Sequence, residues 1–197
     1  MVASTVSAAA QVFYPSSKLN IYILDDGGTV QKRNDSDPAT AQNARERHAY
    51  LKSLAQELND QYAPGIHYLT REKNQAAKAG NISEALLYTC TEETVGMLTR
   101  SACLEMGTRA SQGEIILILD CDHAPTRDIL INTVGWFMED EDLFLVQTPH
   151  FFVNPDPVER NLGTFEQSPA ENEMFYGVVH LGLDFWNSSF FCGSAAL

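Results

Sequence analysis

Residues Ile115 to Asp128 read IILILDCDHAPTRD. Five aliphatic residues run without interruption from Ile115 to Leu119, which predicts a buried strand. The run stops at Asp120, and Asp122 follows after one small residue. Carboxylates are costly to bury without a partner, so a strand that delivers two of them at its end delivers them to a loop, a nucleophilic site or a metal site.

Working outward, a second apolar run has the same form. LNIYILDD (Leu19 to Asp26) is β-branched and apolar, then ends in an acidic pair followed by Gly27 and Gly28. It predicts another buried strand that opens into a loop. Asp37 and Pro38 form a helix start, with the acid as N-cap and proline at the first helical position. Ala41, Ala44, Tyr50, Leu51, Leu54 and Leu58 then recur at helical spacing. GIHYLT (Gly65 to Thr70) predicts a short second strand, and REKNQAAKAGN a loop feeding a helix near Ser83. The chain is helix-prone from Ala85 to Ala110. Thr126 can cap a helix running to about Met138, DLFLVQTP gives a further strand, and NPDP (Asn154 to Pro157) is a turn and helix start. PAENEMFYGVVHLGLDFW reads as a helix or helix plus loop, and SFFCGSAAL as a last strand and turn. Strands alternating with helices predict an α/β fold with a parallel or mixed sheet covered on both faces.

Ligands of open α/β sheets bind outside the carboxyl ends of the strands. Two strands here end in acidic pairs, Asp25-Asp26 and Asp120/Asp122. Taken singly, either pair suits a solvated loop. Taken together, they predict one acidic crevice. Two carboxylates on one short loop are hard oxygen donors that suit Mg²⁺ or Mn²⁺, with substrate phosphates completing the shell. Lys78, beside glycine at a helix start in AAKAGN, can meet such a phosphate, and it also suits an ordinary surface lysine. His123 follows the second pair directly, His150 follows QTP, and His180 lies in the late helix. His48 and His67 read as surface or packing residues. Tyr176, Trp136 and Trp186 suit the core, or a sugar ring.

Bulk composition narrows the classes. The 197 residues are 44% hydrophobic and 20% charged, an ordinary globular balance, with a formal net charge of −13. So acidic a surface argues against a nucleic-acid partner. The cysteines, Cys90, Cys103, Cys121 and Cys192, form no CxxC pair, which disfavours a zinc site or a disulfide framework and suits free thiols in a reducing compartment. No run is long and apolar enough to span a bilayer and no signal-peptide pattern occurs, so these residues are expected to be soluble.

Read together, YPSSKLNIYILDDGG, YLTREKNQAAKAGNIS, LDCDHAPTRD, DLFLVQTPHFFVNPDPVERNL, ENEMFYG and FFCGSAAL resemble the family-2 glycosyltransferase domain of bacterial cellulose synthase catalytic subunits. The resemblance implies a GT-A-type, Rossmann-like fold with a mixed, mostly parallel sheet and helices on both faces. Residues 1–197 would form one domain truncated at both ends, with 86–110 an inserted helical segment. It implies UDP-glucose as donor, a growing β-1,4-glucan as acceptor, and an inverting displacement with Mg²⁺ or Mn²⁺. By position, Asp25, Asp26 and Gly27 correspond to nucleotide contacts, and Lys78 to a diphosphate contact. Asp120 corresponds to a donor and metal ligand, and Asp122 to a metal ligand. His150, Tyr176 and Cys192 correspond to the acceptor end of the pocket.

The sequence also departs from the family pattern. The Thr-Glu-Asp motif that supplies the general base and the Gln-x-x-Arg-Trp motif do not occur in these residues, and TEE at Thr91 to Glu93 lies too early. The family's first strand and its PTYNE-like loop are absent, and Ala76 replaces the histidine of HAKAGN. No membrane channel and no cyclic-di-GMP-binding domain occurs. The expectation is a core fragment able to hold a donor but not to polymerise alone. Its parent would sit at the cytoplasmic face of the bacterial inner membrane, beside membrane-embedded and accessory cellulose synthase parts. Two rivals remain. One is a non-catalytic, partner-binding chain. The other is a haloacid-dehalogenase-type phosphatase, which wants threonine or valine where Ala124 stands, and wants its other acids and its lysine after the Asp-x-Asp rather than before. A dinucleotide oxidoreductase is disfavoured, because no GxGxxG follows any strand.

Overall fold

The computed structural model describes residues 1–62, 65–88, 114–153, 157–163 and 171–197. Helix α1 (Val2–Ala9) precedes strand β1 (Asn20–Asp25), a short helix α2 (Val30–Arg33), the long helix α3 (Pro38–Tyr62) and strand β2 (Gly65–Thr70). Helix α4 spans Ala77–Tyr88, α5 Ile129–Glu139, α6 Pro157–Leu162, α7 Glu171–Met174 and α8 Leu181–Phe185.

β1 and β2 pair in parallel, in register from Asn20 with Gly65 to Asp25 with Thr70. Parallel neighbours need a crossover, and α3 supplies it. The Asp37 carboxylate accepts from the Thr40 N–H at 3.0 Å, so the acid caps the helix as its position before Pro38 predicts. Ala41, Ala44, Leu51, Ala55 and Leu58 are its buried stripe. Tyr50, expected on that stripe, is instead exposed, because it stands beside Leu51 rather than three or four residues from it. Asn59 of α3 gives and takes a hydrogen bond with the Ile66 backbone, at 2.6 and 2.8 Å. It satisfies the β2 edge as a further strand would. Ile23 and Ile66 join Ala55 and Leu58 with Val6 and Ala10, so α1 closes this core.

The second core gathers Ile129 and Leu130 of α5 with Leu197, flanked by Ile115 and Leu117. Here the pairing is antiparallel. Ile118 and Gln147 each bridge Ala196 from opposite sides. The hydrogen bonds are Ile118 N to Ala196 O at 2.9 Å and Val146 N to Leu197 O at 3.1 Å, with return bonds at 2.7 and 3.0 Å. The runs expected as strands at Ile115 to Leu119, in DLFLVQTP and at the end of SFFCGSAAL therefore meet as three short extended segments rather than long ladders. The sheet elements are mixed, a parallel pair and an antiparallel trio. α5 begins later than the Thr126 reading, with Asp128 at its N-cap. α4 begins earlier than the Ser83 reading. Trp136 and Trp186 are exposed rather than core. The inserted segment expected at 86–110, with Cys90 and Cys103, lies almost wholly outside the described residues, as do residues 154–156 of NPDP.

Candidate active site

The site begins at the ends of the strands. The Asp25 carboxylate is 1% exposed and fully engaged. It accepts from Arg47 Nε at 2.7 Å, from the Gly27 N–H at 2.9 Å and from the Tyr68 hydroxyl at 2.9 Å. Burial alone would raise its pKa, but these three donors together hold it below the ordinary 3.8. Tyr68 is pushed up in turn, by burial and by the Asp25 charge. His48, bonded to the Tyr68 hydroxyl at 3.0 Å, is a packing residue as expected. Gly27 leaves room for Arg47 to reach Asp25, since a Cβ there would lie 2.4 Å from Arg47 Nε.

Asp26 faces the other way. Arg71, just past β2 and buried, grips both its oxygens, Nε at 2.7 Å and Nη2 at 2.8 Å. The same guanidinium donates to Gln75 O, Asn74 Oδ1 and Ala77 O. A planar fork suits this bidentate pairing. Arg71 thereby folds the loop 71–77 onto the end of β1 and fixes where α4 starts. Ala76 and Ala77 both adopt positive φ, +55° and +44°, to turn the chain into that helix.

The next residue is Lys78. Its ammonium lies 2.5 Å from Asp120 Oδ1 and also donates to Gly193 O. A continuous relay thus runs from Asp26 through Arg71, the Ala77 carbonyl and Lys78 to Asp120. This relay links the two acidic strand ends.

Asp120 to His123 form a tight turn, with the His123 N–H bonded to Asp120 O at 3.0 Å. It lifts Asp120 and Asp122 to the surface, with side chains 44% and 59% exposed. Among the described residues the Asp122 carboxylate meets only the His123 imidazole, at 3.9 Å. No group of three or more His, Cys, Asp or Glu forms a ready-made metal cage among those residues. Asp120 and Asp122 are hard oxygen donors on one turn, the class of ligand that Mg²⁺ or Mn²⁺ takes together with water and phosphate.

His150 donates Nε2 to Ser194 O at 3.0 Å, and its ring lies 4.4 Å from His123 and 5.3 Å from Tyr176 between centroids. Tyr176 sits in a π-helical turn, Phe175–His180, that separates α7 from α8; such turns re-aim side chains at functional sites. Burial and the Cys192 thiol beside it push the Tyr176 hydroxyl up to about 12. The Cys192 N–H donates to Gln147 Oε1 at 2.8 Å. His150, Tyr176 and Cys192 are therefore one cluster. His180, buried, bonds instead to Phe190 O and Ser189. Sequence reasoning missed Arg47, Arg71, Gln147 and Ser194. Arg71 alone had a usable signal, a cation immediately after a strand that pairs beside an acidic end.

A model of glycosyl transferase family 2 matches residues 98–197. The chain belongs to that family. The match contains Asp120, Asp122, His150, Tyr176 and Cys192. Over its whole length the chain is similar to longer bacterial proteins. It is 40% identical to "Cellulose synthase 2" of Novacetimonas hansenii, of which it spans 9%. It is 36% identical to "Cellulose synthase catalytic subunit [UDP-forming]" of Pseudomonas fluorescens, spanning 20%, and 38% identical to the protein so named in Xanthomonas axonopodis pv. citri, spanning 21%. The chain thus covers from about a tenth to a fifth of these relatives. These alignments also take in Asp25, Asp26, Gly27 and Lys78, which precede the family match.

Proposed function

We propose that this chain holds the donor part of a processive β-glycosyltransferase site, using UDP-glucose and a growing β-1,4-glucan. The observation that carries the reading is the Lys78–Asp120 pair at the junction of the two acidic strand ends. A nucleoside diphosphate with its cation is the ligand such a pair accommodates. The diphosphate takes Lys78, and the released Asp120, with Asp122, holds Mg²⁺ or Mn²⁺. When bound, the ion stabilises negative charge on the departing diphosphate. Lys78 adds to that stabilisation as the charge develops. Asp26 and Gly27, at the rim of β1, take the nucleoside side. Asp25, 1% exposed, supports them from beneath, whereas Asp26, held by Arg71, keeps 23% of its side chain exposed.

In the transfer, an acceptor hydroxyl oxygen bonds to the anomeric carbon. The bond from that carbon to the diphosphate breaks, and its electron pair leaves with UDP. The acceptor proton passes to a general base, and none of the residues described here is assigned that role. His150, Tyr176 and Cys192 line the acceptor end. The parent assembly is read as lying at the cytoplasmic face of the bacterial inner membrane with membrane-embedded partners. Among the described residues no helix is long and apolar enough to cross a membrane.

Titrating UDP into the chain with Mn²⁺ by calorimetry tests the donor site. Binding is expected for the wild type and should weaken at least tenfold in Asp122→Ala, about 1.4 kcal/mol. No heat from the wild type, or an equal signal from the variant, would overturn the reading and leave the non-catalytic, partner-binding one.

A further inference from the structure

We propose that Ser194 is the positioning residue of the acidic turn, and that its hydroxyl holds His123 in the tautomer protonated on Nε2. The proposal rests on the donor-site reading above for its consequence, but not for its geometry. Ser194 is 1% exposed. Its Oγ accepts from the Asp120 N–H at 2.7 Å and lies 2.7 Å from His123 Nδ1. The Asp120 N–H can only donate, so it uses one lone pair of the hydroxyl. The hydroxyl proton then needs an acceptor, and among the described residues His123 Nδ1 is the group within reach. A hydroxyl offers one proton and two lone pairs. The network closes when Nδ1 is bare and Nε2 carries the proton, on the side that faces Asp122 Oδ1. One buried hydroxyl therefore fixes the backbone of the first aspartate and the ring beside the second.

The surrounding backbone explains why a serine reaches this point. Gly193 and Ala195, on either side, adopt positive φ of +89° and +52°. These are sparsely populated conformations for alanine, and they persist where the surroundings over-determine them. Here the surroundings are the site itself. Gly193 O takes Lys78, and Ser194 O takes both Gln147 Nε2 and His150 Nε2. On the far side of the turn, Thr5 Oγ1 donates to Cys121 O at 2.9 Å. The Asp120–His123 turn is clamped from both flanks, and Ser194 is the clamp that touches the aspartate.

The test has two readouts. In the metal-free wild type at mildly alkaline pH, nitrogen-15 spectra of the imidazoles should show His123 with Nδ1 bare and Nε2 protonated. Ser194→Ala leaves the partly buried Asp120 N–H without its acceptor and frees the ring. The tautomer signature should become mixed, and UDP binding with Mn²⁺ should weaken about tenfold. Ser194→Thr, which keeps the hydroxyl, should restore both. A wild-type His123 protonated on Nδ1 would overturn the proposal, as would Ser194→Ala binding UDP as tightly as the wild type. Failure of the wild type to bind UDP sinks the donor reading alone, and the tautomer then decides the role of Ser194.

Discussion

Asp25 shows how one buried carboxylate can serve a neighbour's function. Its partners outweigh the cost of its burial, and its folded pKa lies below the ordinary 3.8. The stability it contributes is complete above that value and is lost as the pH falls through the lower folded value. Urea midpoints measured down an acid series should therefore stay level in this respect and drop below about pH 4. Asp25→Asn should lose about 1–3 kcal/mol at neutral pH, because one acceptor oxygen becomes a donor facing donors. It should also flatten the acid limb of the series. An unchanged acid limb would show that Asp25 is not held as described. Asp120 and Asp122 were legible as candidates because they end an apolar run, and Lys78 because it stands close to a glycine at a helix start. Ser194 was not, since a buried hydroxyl carries no periodicity and its partners lie up to 74 residues away.

At the scale of elements, the turn into α4 decides where Lys78 points. Gly80 lies so close to the preceding loop that a Cβ would sit 2.0 Å from Gln75 O. That contact is with backbone, so nothing can rotate away. Gly80→Ala should destabilise the chain by about 1–3 kcal/mol and weaken UDP binding together with it, read by thermal melting and calorimetry. Ala76→Gly should act in the opposite direction. It removes about 1–2 kcal/mol of left-handed strain and adds about 0.5–1 kcal/mol of unfolded-chain entropy. The melting temperature should rise slightly, and a fall would argue against the positive φ at Ala76. The strands and α3 were predictable because apolar periodicity and the Asp37-Pro38 start act locally. The antiparallel pairing of the terminal segment was not, because two bridging residues give no alternating pattern long enough to read.

At the scale of the molecule, the two small cores found among the described residues leave much apolar surface uncovered. Phe185 and Trp186 are 81% and 76% exposed, and Phe151, Phe152 and Val153 are exposed as well. Single exposed apolar residues are ordinary, whereas a run of them marks a contact surface or an aggregation hazard. The chain on its own should therefore associate with rising concentration despite its net charge of −13. Light scattering should show this association reduced by a Phe185→Ser, Trp186→Gln double variant. A monomer at every concentration would contradict it. The family was readable from motif strings spread along the chain. The exposure of these aromatics was not, since hydrophobicity reports what prefers to be covered and not what covers it.

The Gly193–Leu197 segment also bears on the order of events during synthesis. It leaves the ribosome after every residue it holds, and the bond from Lys78 to Gly193 closes a span of 115 residues. The unit made by β1, α3 and β2 is local and can form early, whereas contacts of long sequence separation close late. A nascent chain would thus carry both aspartates, the lysine and both histidines long before anything aligns them. The last residues of this stretch act as an assembly checkpoint: until they dock, the acidic turn lacks the Ser194 contacts that hold Asp120 and His123.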